Sequence, residues 1–167
     1  MENISAEYLF RAEAWLLLTT LIYFIMNGAG IFETAVIIPK WTAAPPASFQ
    51  LFKGEYGIDL KIFWIVMHSI HELTFIAAIV FCWNIPGVRE WMLLLFAVHF
   101  GVRVWTLIYF VPNIMEFQKI ANGAETTSDL VARTKRWKNW NYVRMIAFIA
   151  VSGGVLTAFL TVIKLAA

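Results

Sequence analysis

One cysteine in 167 residues, and only 14% charged side chains, leave little of what a soluble domain is built from. The lone thiol, Cys82, excludes an internal disulfide and a thiolate metal cluster. Lying in an apolar run, it reads as a small buried hydrophobe. Soluble domains are about 25% charged and about 45–50% apolar, whereas 60% of this chain is hydrophobic. A net charge of only +2 gives no hint of a nucleic-acid partner, so the basic residues read as topology signals. No internal repeat or low-complexity tract is visible. The length suits one domain, residues 1–167, with little room for a separate soluble module.

What is present is apolar sequence in blocks. A hydrocarbon core about 30 Å thick is crossed by about 20 mostly apolar helical residues. Four segments qualify, at about 14–38, 62–83, 91–111 and 143–163, which predicts an all-α, integral membrane four-helix bundle with antiparallel transmembrane helices. Between them lie a loop with Pro45-Pro46, Gly54 and Gly57, a tight Asn84-Ile85-Pro86-Gly87 turn, and a long polar connection. That connection contains the turn signal Asn122-Gly123, and Thr127-Ser128-Asp129 predicts the start of a short surface helix. Trp15, Trp41, Trp64, Trp83, Trp91, Trp137 and Trp140 fall near span ends or in the flanking loops, the depth amphipathic indoles favour. The leader sets Glu2, Glu7 and Glu13 against Arg11 with no small-residue cleavage site after the first span, unlike a signal peptide. Basic residues decide the orientation. Lys40, Lys53 and Lys61 follow the first span, and Lys119, Arg133, Lys135, Arg136 and Lys138 follow the third; the other side has Arg11, Arg89 and Lys164. The positive-inside rule therefore puts loops 39–61 and 112–142 in the cytoplasm and both termini outside, with a bacterial inner membrane as the expected location.

Ionisable groups within spans are expensive and usually functional. The first span contains Asn27 and Glu33, the second His68, His71 and Glu72, and the third His99 and Arg103. Trp137, Asn141 and Arg144 come at the head of the fourth. At about 100° per residue, His68, His71 and Glu72 share one helix face. Alternating helix direction puts most of these groups in the half of the membrane next to the two long loops, with His99 nearer the opposite side. Four helices contributing to one layer imply a polar pocket in the bundle, open towards the loops. Bland readings stand beside this one: Arg144 as a snorkelling anchor, Glu33 in a structural ion pair with Arg103 or Arg144, and Asn27 as a marker of close helix contact beside Gly28 and Gly30.

Several chemistries fit such a set. A single iron, zinc or copper could be held by His68 or His71 with Glu72 and Glu33. The carboxylate-rich Glu-x-x-His pattern of diiron bundles is not matched. Haem would need His99 and a second-span histidine, at depths that differ. Without a cofactor, a buried histidine or glutamate could act as general base while Arg103 or Arg144 stabilises an oxyanion.

Three features have a wider echo: Asn27-Gly28-Ala29-Gly30 near the end of a first helix running to Pro39, a third helix ending at Val111-Pro112-Asn113, and Trp137-x-x-x-Asn141-x-x-Arg144 opening the last. In these the chain resembles the small four-helix membrane family related to the anthrone oxygenases, many of whose members have no assigned activity. The resemblance implies a four-helix membrane bundle, Trp137, Asn141 and Arg144 as pattern positions, and oxidation of a lipophilic aromatic by oxygen without an established cofactor. The His68-x-x-His71-Glu72 run has no counterpart in that pattern.

Three functions follow as expectations. The first is a membrane oxidoreductase or oxygenase acting on a lipophilic, aromatic substrate. His68, His71, Glu72, Arg103 and Arg144 would be its catalytic groups, and Asn27, Glu33, His99, Trp137 and Asn141 its substrate-binding ones. The second is a module that binds or transports an ion, proton or small lipophilic ligand. The third is an accessory subunit of a larger membrane complex or a homo-oligomer, in which the basic stretch 133–140 contacts a partner or anionic lipid and Gly153-Gly154 forms a packing face within or between chains.

Overall fold

The computed structural model of the protein describes residues 4–125 and 128–166; Glu2 of the leader and Thr127 of the expected helix start lie outside them. Four helices make up the chain: α1 Ala6–Trp41, α2 Lys61–Phe81, α3 Val88–Ala121 and α4 Leu130–Ala166. Each is long and apolar enough to cross a membrane, and no strand occurs among the described residues. The fold is a helical bundle and the chain an integral membrane protein.

Local chemistry sets the helix starts. The Ser5 hydroxyl accepts from the Tyr8 N–H at 3.2 Å to open α1, and the Asp59 carboxylate accepts from the Lys61 N–H at 2.8 Å before α2. Gly87, at φ +81°, turns the chain into α3 while the Glu90 carboxylate accepts from its N–H. α1 and α4 form the most extensive contact, α2 packs on α1, and α3 packs on α4. The seam between α2 and α3 is the loosest of the four.

Helices α1 and α3 do not stop at their prolines, as the expected ends at Pro39 and Val111-Pro112-Asn113 required. A proline lacks an N–H and its ring clashes with the carbonyl four residues back. Both helices absorb this by widening into one π turn, Glu33–Ile37 in α1 and Thr106–Phe110 in α3. In each, the last N–H before the proline reaches back five residues: Ile38 to the Glu33 carbonyl, and Val111 to the Thr106 carbonyl. The helices then continue to Trp41 and Ala121.

The short surface helix expected after residue 127 is also corrected: it is the first part of α4, which runs unbroken from Leu130 to Ala166. At about 1.5 Å per residue, 34–37-residue helices outrun a hydrocarbon core of about 30 Å. Their loop-side ends pack into a second apolar core around Ile38, Trp41, Phe49, Phe110, Phe117 and Trp137. A 3₁₀ turn at Ala47–Phe52 seats Phe49 against Phe117, with ring centroids 5.4 Å apart. Trp41 sits 5.0 Å from Trp137 and 5.5 Å from Phe52. Two of the seven indoles assigned to the membrane interface are thus core residues, Trp41 at 2% exposure and Trp137 at 4%, because the helices project far enough to bury them. Trp83, Trp91 and Trp140 are exposed.

The main core lies on the terminal side and includes Leu16, Phe75, Met92, Phe148 and Val155. Gly154 packs inside the bundle, where a Cβ would meet the Leu95 side chain at 2.5–2.9 Å, and its carbonyl accepts from the Trp91 indole at 3.0 Å. Gly153 faces outward with open space around it. Cys82 is buried and free.

The burial of Trp41 leads to a direct test. Trp41→Ala should destabilise the protein by about 3–5 kcal/mol, the usual cost of emptying a buried aromatic site. Trp83→Ala, at a residue 50% exposed, should change it little. Thermal unfolding in one detergent, monitored by near-UV circular dichroism, compares the two; equal shifts would return Trp41 to the interface.

Candidate functional site

Midway along the bundle, three helices meet at one imidazole. Tyr23 of α1 and His99 of α3 are fully buried, and the Tyr23 hydroxyl lies 2.8 Å from His99 Nδ1. On the other edge of the ring, His99 Nε2 lies 3.0 Å from the Glu72 carboxylate of α2. Arg103, one turn beyond His99, places its Nε 3.8 Å from the same carboxylate oxygen. A carboxylate can only accept, so with Glu72 ionised the proton sits on His99 Nε2 and Nδ1 accepts from tyrosine. The donors then run one way: Tyr23 to His99 to Glu72, closed by the arginine charge. Such a chain satisfies every member, which makes it tolerable in low dielectric.

His71 stands against this chain. It is 0% exposed, its ring centroid 4.1 Å from that of Tyr23 and 4.8 Å from that of His99, yet neither ring nitrogen has a hydrogen-bond partner among the described residues. An unpartnered buried polar group typically costs about 1–3 kcal/mol. His68, one turn nearer the loops, stacks on Trp64 at 5.1 Å; its Nδ1 is likewise buried without a partner. Arg103 Nη2 reaches the His68 carbonyl at 3.5 Å.

A second tier lies nearer the loops. Asn141 of α4 donates to the Thr34 hydroxyl of α1 at 2.9 Å and accepts from Arg144 at 2.6 Å. The Arg144 guanidinium lies over the Phe110 ring at 4.3 Å, while its Nε is buried without a partner. Both π turns feed this tier: one begins at Glu33 and carries Thr34, and the other ends at Phe110. Arg144 points into the bundle instead of snorkelling. Glu33 is half-buried. Among the described residues it makes no ion pair within 4.0 Å, so the pairing expected for it with Arg103 or Arg144 is not formed; Arg103 pairs with Glu72.

The remaining candidates sit apart from the imidazoles. Asn27 donates to the Ser152 hydroxyl at 2.8 Å, joining α1 to α4, and Trp137 donates to the Phe110 carbonyl at 3.2 Å within the loop-side core. His99, expected near the opposite side, is at the centre of the cluster. The expected metal set of His68, His71, Glu72 and Glu33 does not converge: Glu72 turns to His99 and Arg103, Glu33 lies in the other tier, and no group of three or more His, Cys, Asp or Glu among the described residues is placed to hold a metal. The expected haem fits no better. His71 and His99 share a depth, but their rings are in contact, with no room for a porphyrin between them.

Sequence reasoning missed Tyr23 and Thr34. Tyr23 had a readable signal, since it falls four residues before Asn27 on the same helix stripe. Thr34 had the same signal, falling seven residues after Asn27 on that stripe. The cluster is packed with its own side chains. Two surface concavities, of about 440 and 600 Å³, lie at the loop-side ends of α4 and α3, and neither includes a residue of the cluster. Its opening is lateral: the Glu72 side chain, 29% exposed, faces the loose seam between α2 and α3. Comparison with known protein families, curated proteins and solved structures gives no match to this chain, and function is read from the site itself.

The shared imidazole predicts non-additive energetics. Tyr23→Phe and Glu72→Ala should each destabilise the protein by about 1–3 kcal/mol by stripping one nitrogen of buried His99. With Glu72 gone the ring is free to change tautomer, so the two losses should differ from additivity by about 0.5–3 kcal/mol. A double-mutant cycle from reversible unfolding in detergent measures this; additive losses would mean the two contacts are independent.

Proposed function

We propose that the protein is a membrane-embedded oxygenase that takes a proton from a lipophilic aromatic substrate and lets molecular oxygen add to the resulting carbanion. The observation that supports it most is His71: a fully buried imidazole with two unused nitrogens, set beside a polarised Tyr23–His99–Glu72 chain. An unpartnered base in an apolar setting suits an acidic C–H bond that arrives from the bilayer. The α2–α3 seam, where Glu72 is partly exposed, is the entry route in this reading.

The chemistry balances with oxygen as the oxidant. His71 removes a proton from a methylene conjugated to a carbonyl through an aromatic ring, and the electron pair shifts through the ring to the carbonyl oxygen as an enolate held by Arg103 or Arg144. The enolate carbon forms a C–O bond to O₂, and His71 returns the proton to the distal oxygen as hydroperoxide. Loss of water then breaks the O–O bond and the remaining C–H bond, leaving a new carbonyl. In sum, one CH₂ and one O₂ give one C=O and one H₂O; carbon is oxidised and oxygen reduced. Glu72 and Tyr23 hold His99 in one tautomer, which keeps the wall against His71 fixed. An anthrone, with one such methylene between two rings, fits these requirements and the resemblance noted in the sequence. In the same reading Lys40, Lys53, Lys61, Lys119, Arg133, Lys135, Arg136 and Lys138 lie in the cytoplasm, and both chain ends lie on the far side of a bacterial inner membrane.

Purified protein in detergent should convert anthrone to anthraquinone with one O₂ consumed per product, above the spontaneous rate. His71→Ala should lower the enzymatic rate by about 10²–10⁴-fold, the usual contribution of a general base. Lys61→Ala should leave it unchanged. Product absorbance with an oxygen electrode reads both. Undiminished turnover in His71→Ala would remove the base from its role, and a wild-type rate equal to the spontaneous one would remove the anthrone-type substrate.

A further inference from the structure

Between residues 133 and 140 the chain reads Arg-Thr-Lys-Arg-Trp-Lys-Asn-Trp, four cations and two indoles in eight residues. In α4 the helical repeat sorts them onto two faces. Thr134 and Trp137 are buried, followed on the same stripe by Asn141. Arg133 is consumed by α3: it forms two hydrogen bonds to the Glu116 carboxylate, at 2.7 and 2.5 Å, and one to Asn113 at 3.1 Å. The opposite face is free. Ala132, Lys135, Arg136, Asn139, Trp140 and Val143, spaced as one helical stripe, line an open concavity of about 440 Å³. No carboxylate lines it, and neither Lys135 nor Arg136 takes part in an ion pair among the described residues.

Depth identifies what meets this face. Trp140 is 45% exposed and leans edge-on against Trp105, with centroids 5.5 Å apart. Just below it Val143 and Ile146 are exposed apolar side chains, as expected of positions facing acyl chains. Trp140 therefore marks the membrane boundary. Arg136 is one turn, about 6 Å, farther out, and Lys135 slightly beyond. The headgroup layer is about 5–7 Å thick on each side, so both cations lie at phosphate level.

We propose that this face of α4 binds the headgroup of an anionic glycerophospholipid. Lys135 and Arg136 contact the phosphate, the Asn139 amide donates to glycerol or headgroup oxygens, and Trp140 and Val143 pack on the first methylenes of the acyl chain. Two uncompensated cations favour a lipid with net negative charge over a zwitterionic one. The site is independent of the buried cluster and of the reaction proposed for it. If the loops are cytoplasmic, it faces the leaflet that carries anionic lipid.

The test uses the full chain in detergent with phosphatidylglycerol or phosphatidylcholine added, scored by bound lipid in native mass spectrometry. The wild type should retain phosphatidylglycerol preferentially. Removing each cation should reduce that preference roughly fivefold, and Lys135→Ala with Arg136→Ala together roughly 25-fold. Lys119→Ala, in the concavity at the end of α3, should leave it unchanged and controls for general loss of charge. Near-UV circular dichroism confirms that the variants fold. Equal retention of the two lipids by the wild type, or undiminished preference in the double variant, would overturn the proposal. Displacement of the lipid by inorganic phosphate would reassign the site to a free anion and overturn it equally.

Discussion

A polar group in hydrocarbon must find its partner inside the protein, and here the partner most others depend on is the His99 ring. Its two nitrogens tie α1 to α2 through α3: the Tyr23 hydroxyl on one edge, the Glu72 carboxylate on the other. Remove either contact and a buried nitrogen, a buried hydroxyl or a half-exposed carboxylate is left without its match. Arg103 then has a carboxylate to face, Phe148 has a cation above it, and the otherwise loose α2–α3 seam has a bond across it at mid-depth. Lipid offers no water to substitute, so the arrangement is held by the cost of its alternatives as much as by its own strength.

Against that satisfied chain His71 stands out because it is not satisfied. Natural structures leave few buried polar atoms unpaired, and those that remain call for an explanation. In the reaction proposed above, the explanation is a substrate proton. In that proposal the two tiers divide the labour: the deeper one supplies the base and its fixed surroundings, and the loop-side one supplies Arg144, steadied by Asn141 and the face of Phe110. The π turns belong to the second tier. Each accommodates a proline, and each also contributes one member of the tier, Thr34 or Phe110. Sequence economy of this kind is typical where π turns adjoin functional groups.

Outside the hydrocarbon the same helices do different work. Their projecting ends bury Trp41, Trp137 and Phe49 in a second core, which clamps the loop-side mouth of the bundle and fixes the direction from which α4 enters the membrane. That direction leaves one stripe of α4 free at headgroup depth, with its cations unspent. The stretch 133–140 is thus a structural ledge on one side of the helix and, in the proposal above, the lipid-binding surface on the other.

Hydropathy alone determined that four helices cross a membrane, because 20 apolar residues have nowhere else to go. It also determined which polar residues were out of place, since any histidine or arginine in such a run is conspicuous. Helical periodicity put His71 and Glu72 on neighbouring positions of one face, and that survives. What the sequence could not decide was pairing across helices. His99 packs on Tyr23, Phe75 and Phe148 of the terminal-side core, as its place in the span implied, yet it meets Glu72 there, a pairing that counting residues from span ends does not show. The π turns before Pro39 and Pro112 depend on how the carbonyls freed by the prolines are satisfied in the packed bundle. Tyr23 looked like an ordinary apolar aromatic until an imidazole on another helix met its hydroxyl. Which nitrogen has a partner, and which has none, is settled only when four helices are side by side; there the described residues show a polar relay through His99 beside a His71 with neither nitrogen paired.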